Sequence, residues 1–232
     1  MQIHGYQKLT LLDYPSHIAA AIFLAGCNMR CPFCHNASLV TRIISENAIP
    51  EETVLSTLYS RKHILEGVCI TGGEPTLYSE LPSLLEKIKA LNLKVKLDSN
   101  GTNPSMLKSL VKDGLVDYIA MDIKNSKEKY AITTGIPSFL LDKINESIEF
   151  LLTASIAYEF RTTIVKEFHT LEDIVSIGKW INGATAYYLQ SYKDSSDMIQ
   201  TGLNPHTTDT LIEFTNLLKP YLANVFLRGV TM

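Results

Sequence analysis

The sequence predicts an α/β fold in one domain, and two observations predict it. Short apolar runs alternate with amphipathic stretches almost to the end of the chain, the pattern of strands joined through helices into a largely parallel sheet. The residues hardest to explain as packing fall where those runs end: Gly26-Cys27, Gly72-Gly73-Glu74-Pro75, Asp98-Ser99-Asn100-Gly101 and Asp122-Ile123-Lys124. Arg161 lies within the fifth run and Gln190 closes the sixth. Active sites of α/β barrels are built at the carboxyl ends of their strands. Ordinary turn chemistry accounts for Asn100-Gly101, but poorly for Glu74 before a proline or for Asp122 and Lys124 in an apolar run.

In chain order, strands are expected at residues 17–24, 67–71, 93–97, 117–123, 157–165 and 184–190, with a seventh at 223–227. Helical spacing is clearest for Leu81, Leu84, Leu85, Ile88 and Leu91. It recurs in Ile144, Ile148, Leu151 and Leu152, and in Leu211, Ile212, Phe214, Leu217 and Leu218. Pro50-Glu51-Glu52 and Asn103-Pro104-Ser105 carry helix-start signals, an early proline with acid in the first turn and a capping Asn before Pro. No Gly/Ser linker, low-complexity tract or short repeat divides the chain, so one domain over residues 1–232 is the expected count.

Composition narrows the function classes. With 46% hydrophobic and 19% charged residues among 232, the chain can bury a sizeable core and is not disordered. A net charge of −3 supplies no global field for nucleic acid or anionic lipid, so neither is an expected partner. No stretch approaches the ~20 apolar residues of a membrane span. Leu24-Ala25-Gly26-Cys27 matches a lipoprotein cleavage pattern, but Lys8 is balanced by Asp13 and Pro15 adjoins the apolar run, so a buried strand feeding a cysteine loop is the better reading. Four cysteines are too few for a disulfide scaffold, and a cytoplasmic, reducing compartment is expected.

Three of those cysteines, in Cys27-x3-Cys31-x2-Cys34, place soft ligands on one short loop after a strand. A zinc site could add His35, but adjacent Cys34 and His35 suit one small ion badly. A Cys31–Cys34 redox disulfide leaves Cys27 without a task. A [4Fe–4S] cluster on three cysteines leaves one iron open to a non-protein ligand, where chemistry can occur. Cys69, within Val68-Cys69-Ile70, reads as a small core residue, and Trp180 reads as core with Ile174 and Ile177. His35, His63, His169 and His206 show no metal-like pairing.

The Cys27-x3-Cys31-x-Phe33-Cys34 run resembles the signature of the radical S-adenosylmethionine (SAM) superfamily. Gly72-Gly73-Glu74-Pro75 is similar to its methionine-binding segment. Leu97-Asp98-Ser99-Asn100-Gly101-Thr102 and Met121-Asp122-Ile123-Lys124 resemble segments of glycyl-radical-enzyme activating proteins. Asp13-Tyr14-Pro15, Phe23 to Asn28 and Cys34-His35-Asn36 resemble the anaerobic ribonucleoside-triphosphate reductase activating proteins within that branch. The resemblance is weakest after Gln190.

It implies a single-domain partial (β/α)6 TIM-like barrel with a cluster loop at 26–36 and no auxiliary-cluster domain. The implied cofactors are a [4Fe–4S] cluster on Cys27, Cys31 and Cys34, SAM, and a monovalent cation near Asp98, Ser99 and Asp122. The implied reaction is reductive cleavage of SAM to a 5′-deoxyadenosyl radical, which takes hydrogen from a backbone glycine of a partner enzyme. Gly72 and Gly73 would admit the ligand, Glu74 would meet its ammonium, Lys124 its carboxylate, and Phe33 its adenine. Arg161 is a candidate for the SAM carboxylate and Gln190 for adenine or ribose. A transient glycyl-radical enzyme and a flavodoxin or ferredoxin-type electron donor are the implied partners. A radical SAM enzyme acting on a small molecule or RNA is the alternative, and a zinc-stabilised interaction module is a remote one.

Overall fold

In the computed structural model, which describes residues 1–135 and 141–230, two strands open the chain and strands then follow one another through helices. The chain divides into two compact units, Met1–Asn28 with Ser38–Ala120, and Met29–Ala37 with Met121–Met232. Among the described residues no helix is long and apolar enough to cross a membrane.

The first unit holds β1 (Ile3–Thr10), β2 (Ala19–Leu24), β3 (Gly67–Gly72) and β4 (Lys94–Ser99). β2 pairs in parallel with β3, and β3 with β4. β2 reads Ala-Ala-Ala-Ile-Phe-Leu and is buried along almost its whole length, as a parallel strand covered on both faces should be. It starts at Ala19 rather than at 17 because Ser16 takes a φ of 61° and His17 N–H donates back to the Tyr14 carbonyl, which holds the chain in a turn. β1 was not anticipated. It runs antiparallel to β2, and only its two end residues are buried, so it lacks the apolar run that marks the other strands.

A short helix, α1 (Ala37–Thr41), precedes α2 (Glu51–Arg61), α3 (Leu81–Lys89) and α4 (Pro104–Lys112). Of the expected stripe, Leu81, Leu84, Leu85 and Ile88 are wholly buried, each side chain contributing about 1.5–3 kcal/mol over exposure, while Leu91 falls beyond the end of α3 and is half-buried. The Asn103 side chain accepts from Met106 N–H, capping α4 as its sequence signalled. At the far end of α3, Lys89 pairs with Asp117, whose Oδ2 also accepts from Val95 N–H at 2.7 Å. Helix and strand are thereby latched by one carboxylate.

β5 (Tyr118–Asp122) leads into the second unit, where β6 (Ala157–Ile164), β7 (Tyr187–Ser191) and β8 (Val225–Arg228) pair in parallel. Its helices are α5 (Tyr130–Thr134), α6 (Asp142–Thr153), α7 (Leu171–Trp180) and α8 (Thr208–Leu218). α7 opens on a capping box between Thr170 and Asp173. Two expectations need correction here. β7 starts at Tyr187, not at 184, because Ala184 N–H still bonds to the Ile181 carbonyl in the turn after α7. Trp180 is half-buried rather than core: its indole N–H donates to Asn145 Oδ1, and Lys127 lies over its ring.

Candidate active site

In the first unit the loop after β2 is clasped by the loop after β3. Gly73 N–H donates to the Leu24 carbonyl and Glu74 N–H to the Gly26 carbonyl, both at 2.8 Å. The clasp explains the glycine pair. A Cβ on Gly73 would stand 2.0 Å from the Gly26 oxygen, and one on Gly72, whose φ is +116°, would stand 2.3 Å from the Leu24 oxygen. Sequence reasoning assigned that closeness to a ligand. The structure gives it to the chain's own backbone.

Glu74 is fully buried. Its Oε1 accepts from Thr76 N–H at 3.1 Å, the Thr76 hydroxyl at 2.5 Å and the Ser99 hydroxyl at 3.0 Å. Its Oε2 accepts from Asn100 N–H at 2.6 Å. Burial pushes the carboxyl pKa up, while these donors pull it back. Asn100 carries the arrangement onward, its amide donating to Asn28 Oδ1 at 2.9 Å and lying 3.9 Å from Cys27 Sγ. Thr102 closes the ring, accepting from Asn28 Nδ2 and donating to Asn100 Oδ1. Asn28, Asn100 and Thr102 are thus brought together at the site, although sequence reasoning gave none of them a role: Asn100 read as turn chemistry, and Asn28 and Thr102 only as members of resemblance segments. Their one signal was position, directly after Cys27 and at the end of β4. Asp98 forms an ion pair with buried Lys96, also not foreseen.

In the second unit Cys31 is buried and Cys34 half-buried, with Cys34 N–H donating to the Cys31 carbonyl. Burial pushes the Cys34 thiol up, against the Asn36 backbone hydrogen bond and the Lys124 charge. Phe33 is buried, its ring 5.7 Å from that of Phe168 and 6.3 Å from that of His169. Three predicted residues meet on one carboxylate: Arg161 Nε donates to Asp122 Oδ1, and Lys124 Nζ to Asp122 Oδ2. Burial alone would raise the Asp122 pKa, but the two cations outweigh it and hold the carboxyl well below the usual range. Burial likewise opposes the Lys124 ammonium, yet Asp122 and Cys31 keep its pKa well above normal. Buried His169 fixes the Lys124 backbone, with Nε2–H donating to its carbonyl at 2.9 Å while Nδ1 accepts from Val165 N–H. Gln190 stands apart from these, bonded to Thr163 and Arg228; Arg228 also pairs with buried Glu159.

Among the described residues, no three His, Cys, Asp or Glu side chains are gathered to hold a metal ion. An amide N–H beside the Cys27 sulfur and the Lys124 charge near Cys34 suit an iron–sulfur cluster, which separates its thiolates over several irons.

Comparison with known proteins points the same way. The model of the radical SAM superfamily matches residues 21–181, a span that includes all three cysteines and stops short of Gln190. A Methanocaldococcus jannaschii protein named for glycyl-radical enzyme activation is 30% identical over 234 residues, covering 98% of this chain and 96% of its own. The pyruvate formate-lyase-activating enzyme of Clostridium pasteurianum is 27% identical over 139 residues, 58% of this chain and 57% of its own. Among solved structures, Streptococcus suis SuiB bound to S-adenosylmethionine superposes with a TM-score of 0.69 at 16% identity, covering 90% of this chain and 52% of SuiB. This chain therefore spans about half of SuiB, and the likeness shows the fold, the α/β partial-barrel class.

Proposed function

Because this chain belongs to the radical SAM superfamily, with a [4Fe–4S] cluster and SAM as its cofactors, we propose that it is an activase that installs a radical on a backbone glycine of a partner enzyme. The observation that carries the reading is the near end-to-end likeness to a protein named for that activity. Bound together, cluster and SAM supply a 5′-deoxyadenosyl radical; the protein supplies orientation and exclusion. We assign the cluster to Cys27, Cys31 and Cys34, in one core domain.

We propose the remaining roles on the contacts described above, and that of Gln190 on the resemblance alone. Lys124, held positive by Asp122, offers donors to the SAM carboxylate. Arg161 fixes Asp122 and thereby aims Lys124. Glu74, wholly buried, acts through Ser99 and Asn100, holding the amide that faces the Cys27 sulfur. Gly72 and Gly73 let the loops at 24–26 and 73–74 meet. Phe33, packed on Phe168 and His169, anchors the loop carrying Cys31 and Cys34, and Gln190 is a ribose or adenine contact.

The partner we favour is an anaerobic ribonucleoside-triphosphate reductase, on the resemblance carried by Asp13-Tyr14-Pro15 and Cys34-His35-Asn36, with a flavodoxin or ferredoxin-type protein as reductant. Reduced protein, SAM and the candidate reductase should give a glycyl doublet in electron paramagnetic resonance. Abundant SAM cleavage with small-molecule turnover and no protein radical would replace this reading with the small-molecule one.

A further inference from the structure

Lys96 is the long side chain that the middle of the first unit's sheet has least reason to bury. It is 2% exposed, and its register partner across β3 is Cys69, whose own partner across β2 is Ala21. Those two small residues leave room for the four-carbon stem. The ammonium reaches 3.7 Å from Cys69 Sγ and ion-pairs with Asp98, two residues nearer the carboxyl end of the same strand face. A buried ammonium is expensive to desolvate and persists only with a paired anion. The chain thus places an ammonium against the strand-end carboxylate.

That carboxylate is one of the groups the family resemblance assigns to a monovalent cation, and the residues present do not fit one. Asp98 is engaged by Lys96, and the Ser99 hydroxyl donates to Glu74 while accepting from Gly101 N–H. Asp122, in the other unit, is engaged by both Arg161 and Lys124. A potassium ion on Asp98 would have to share one carboxylate with an ammonium of like charge. We infer that the Lys96 ammonium stands in for the monovalent cation, so that this chain binds and cleaves SAM without requiring potassium or sodium. The inference rests on the proposed SAM cleavage.

The test compares tetramethylammonium, sodium and potassium chlorides at equal ionic strength. The reconstituted wild-type protein should cleave SAM at the same rate in all three, and the full chain without cofactors should melt at the same temperature. Lys96→Met should be slower in tetramethylammonium by about ten-fold, with potassium restoring the rate and raising its melting midpoint. A wild-type rate or midpoint that climbs with potassium would overturn the inference, and needs no variant. So would a folded Lys96→Met that potassium neither activates nor stabilises. Absence of SAM cleavage in every salt would instead refute the activase reading, while the melting comparison still judges Lys96.

Discussion

Arg161 on β6 and Asp122 at the end of β5 form an ion pair in which the guanidinium Nε donates to Oδ1, with side-chain exposures of only 15% and 24%. A strand's alternation does not by itself say to which face Arg161 points. Its partner decides the matter: the guanidinium is drawn to the Asp122 carboxylate, whose other oxygen accepts from Lys124.

Arg161→Met should lower unfolding stability by about 1.5–3 kcal/mol, the usual worth of a hydrogen bond to a charged group. The loss stays below the roughly 3–5 kcal/mol of an orphaned buried charge because Lys124 still neutralises Asp122. Urea denaturation reads the difference, and an unchanged midpoint would show that the pair is merely solvated.

Replacing Cys27, Cys31 or Cys34 by Ser should abolish iron and labile sulfide after anaerobic reconstitution, since a hydroxyl is a hard and poor substitute for thiolate. Cys69→Ser should retain both, because Cys69 is fully buried beside Lys96. Loss of iron from Cys69→Ser with retention in Cys34→Ser would reverse the ligand assignment.

Glu74→Gln changes one atom and sets a donor where the pocket already supplies donors from Thr76, Ser99 and Asn100. The expected cost is about 1–3 kcal/mol, seen as a lower melting midpoint without any ligand present. A midpoint within about 0.5 kcal/mol of wild type would mean the four hydrogen bonds do not hold the loop.

Much of this architecture was readable from the letters, and the exceptions share a physical cause. The parallel strands announce themselves because burial on both faces demands unbroken apolar runs, as in Ala19–Leu24. β1 escapes because an edge strand with one apolar end looks like a polar loop. At the site, composition identified which residues were unusual but not whom they would bond. Glu74 and Asp98 are expected to face ligands, and the letters do not announce the partners they have within the chain: Thr76, Ser99 and Asn100 for Glu74, and Lys96 for Asp98. Tyr14 illustrates the reverse: its ring packs where a Cβ on Gly67 would come within 2.8 Å, so one residue of the resemblance motif serves the core.

Acid should weaken the fold through His169. Burial lowers its pKa, despite the Lys124 and Val165 backbone partners and the nearby Asp173, and His206 lowers it further. The folded chain then holds fewer protons than the unfolded one below about pH 6.5, so this contribution is complete above that value and declines as pH falls toward the folded-state pKa. The wild-type urea midpoint should fall between about pH 7.5 and 5.5, and His169→Gln should flatten the slope. Equal slopes would place the titration elsewhere.

The clasp around Gly26 carries a consequence for how variation at the site should be interpreted. The space beside Gly72 and Gly73 is closed by the chain's own carbonyls. A library randomised at those two positions and selected only for folding, with no cofactor supplied, should still return glycine. Their persistence among survivors would then measure what the chain needs to fold, and binding pressure would have to be sought at Lys124, where the constraint is charge rather than room.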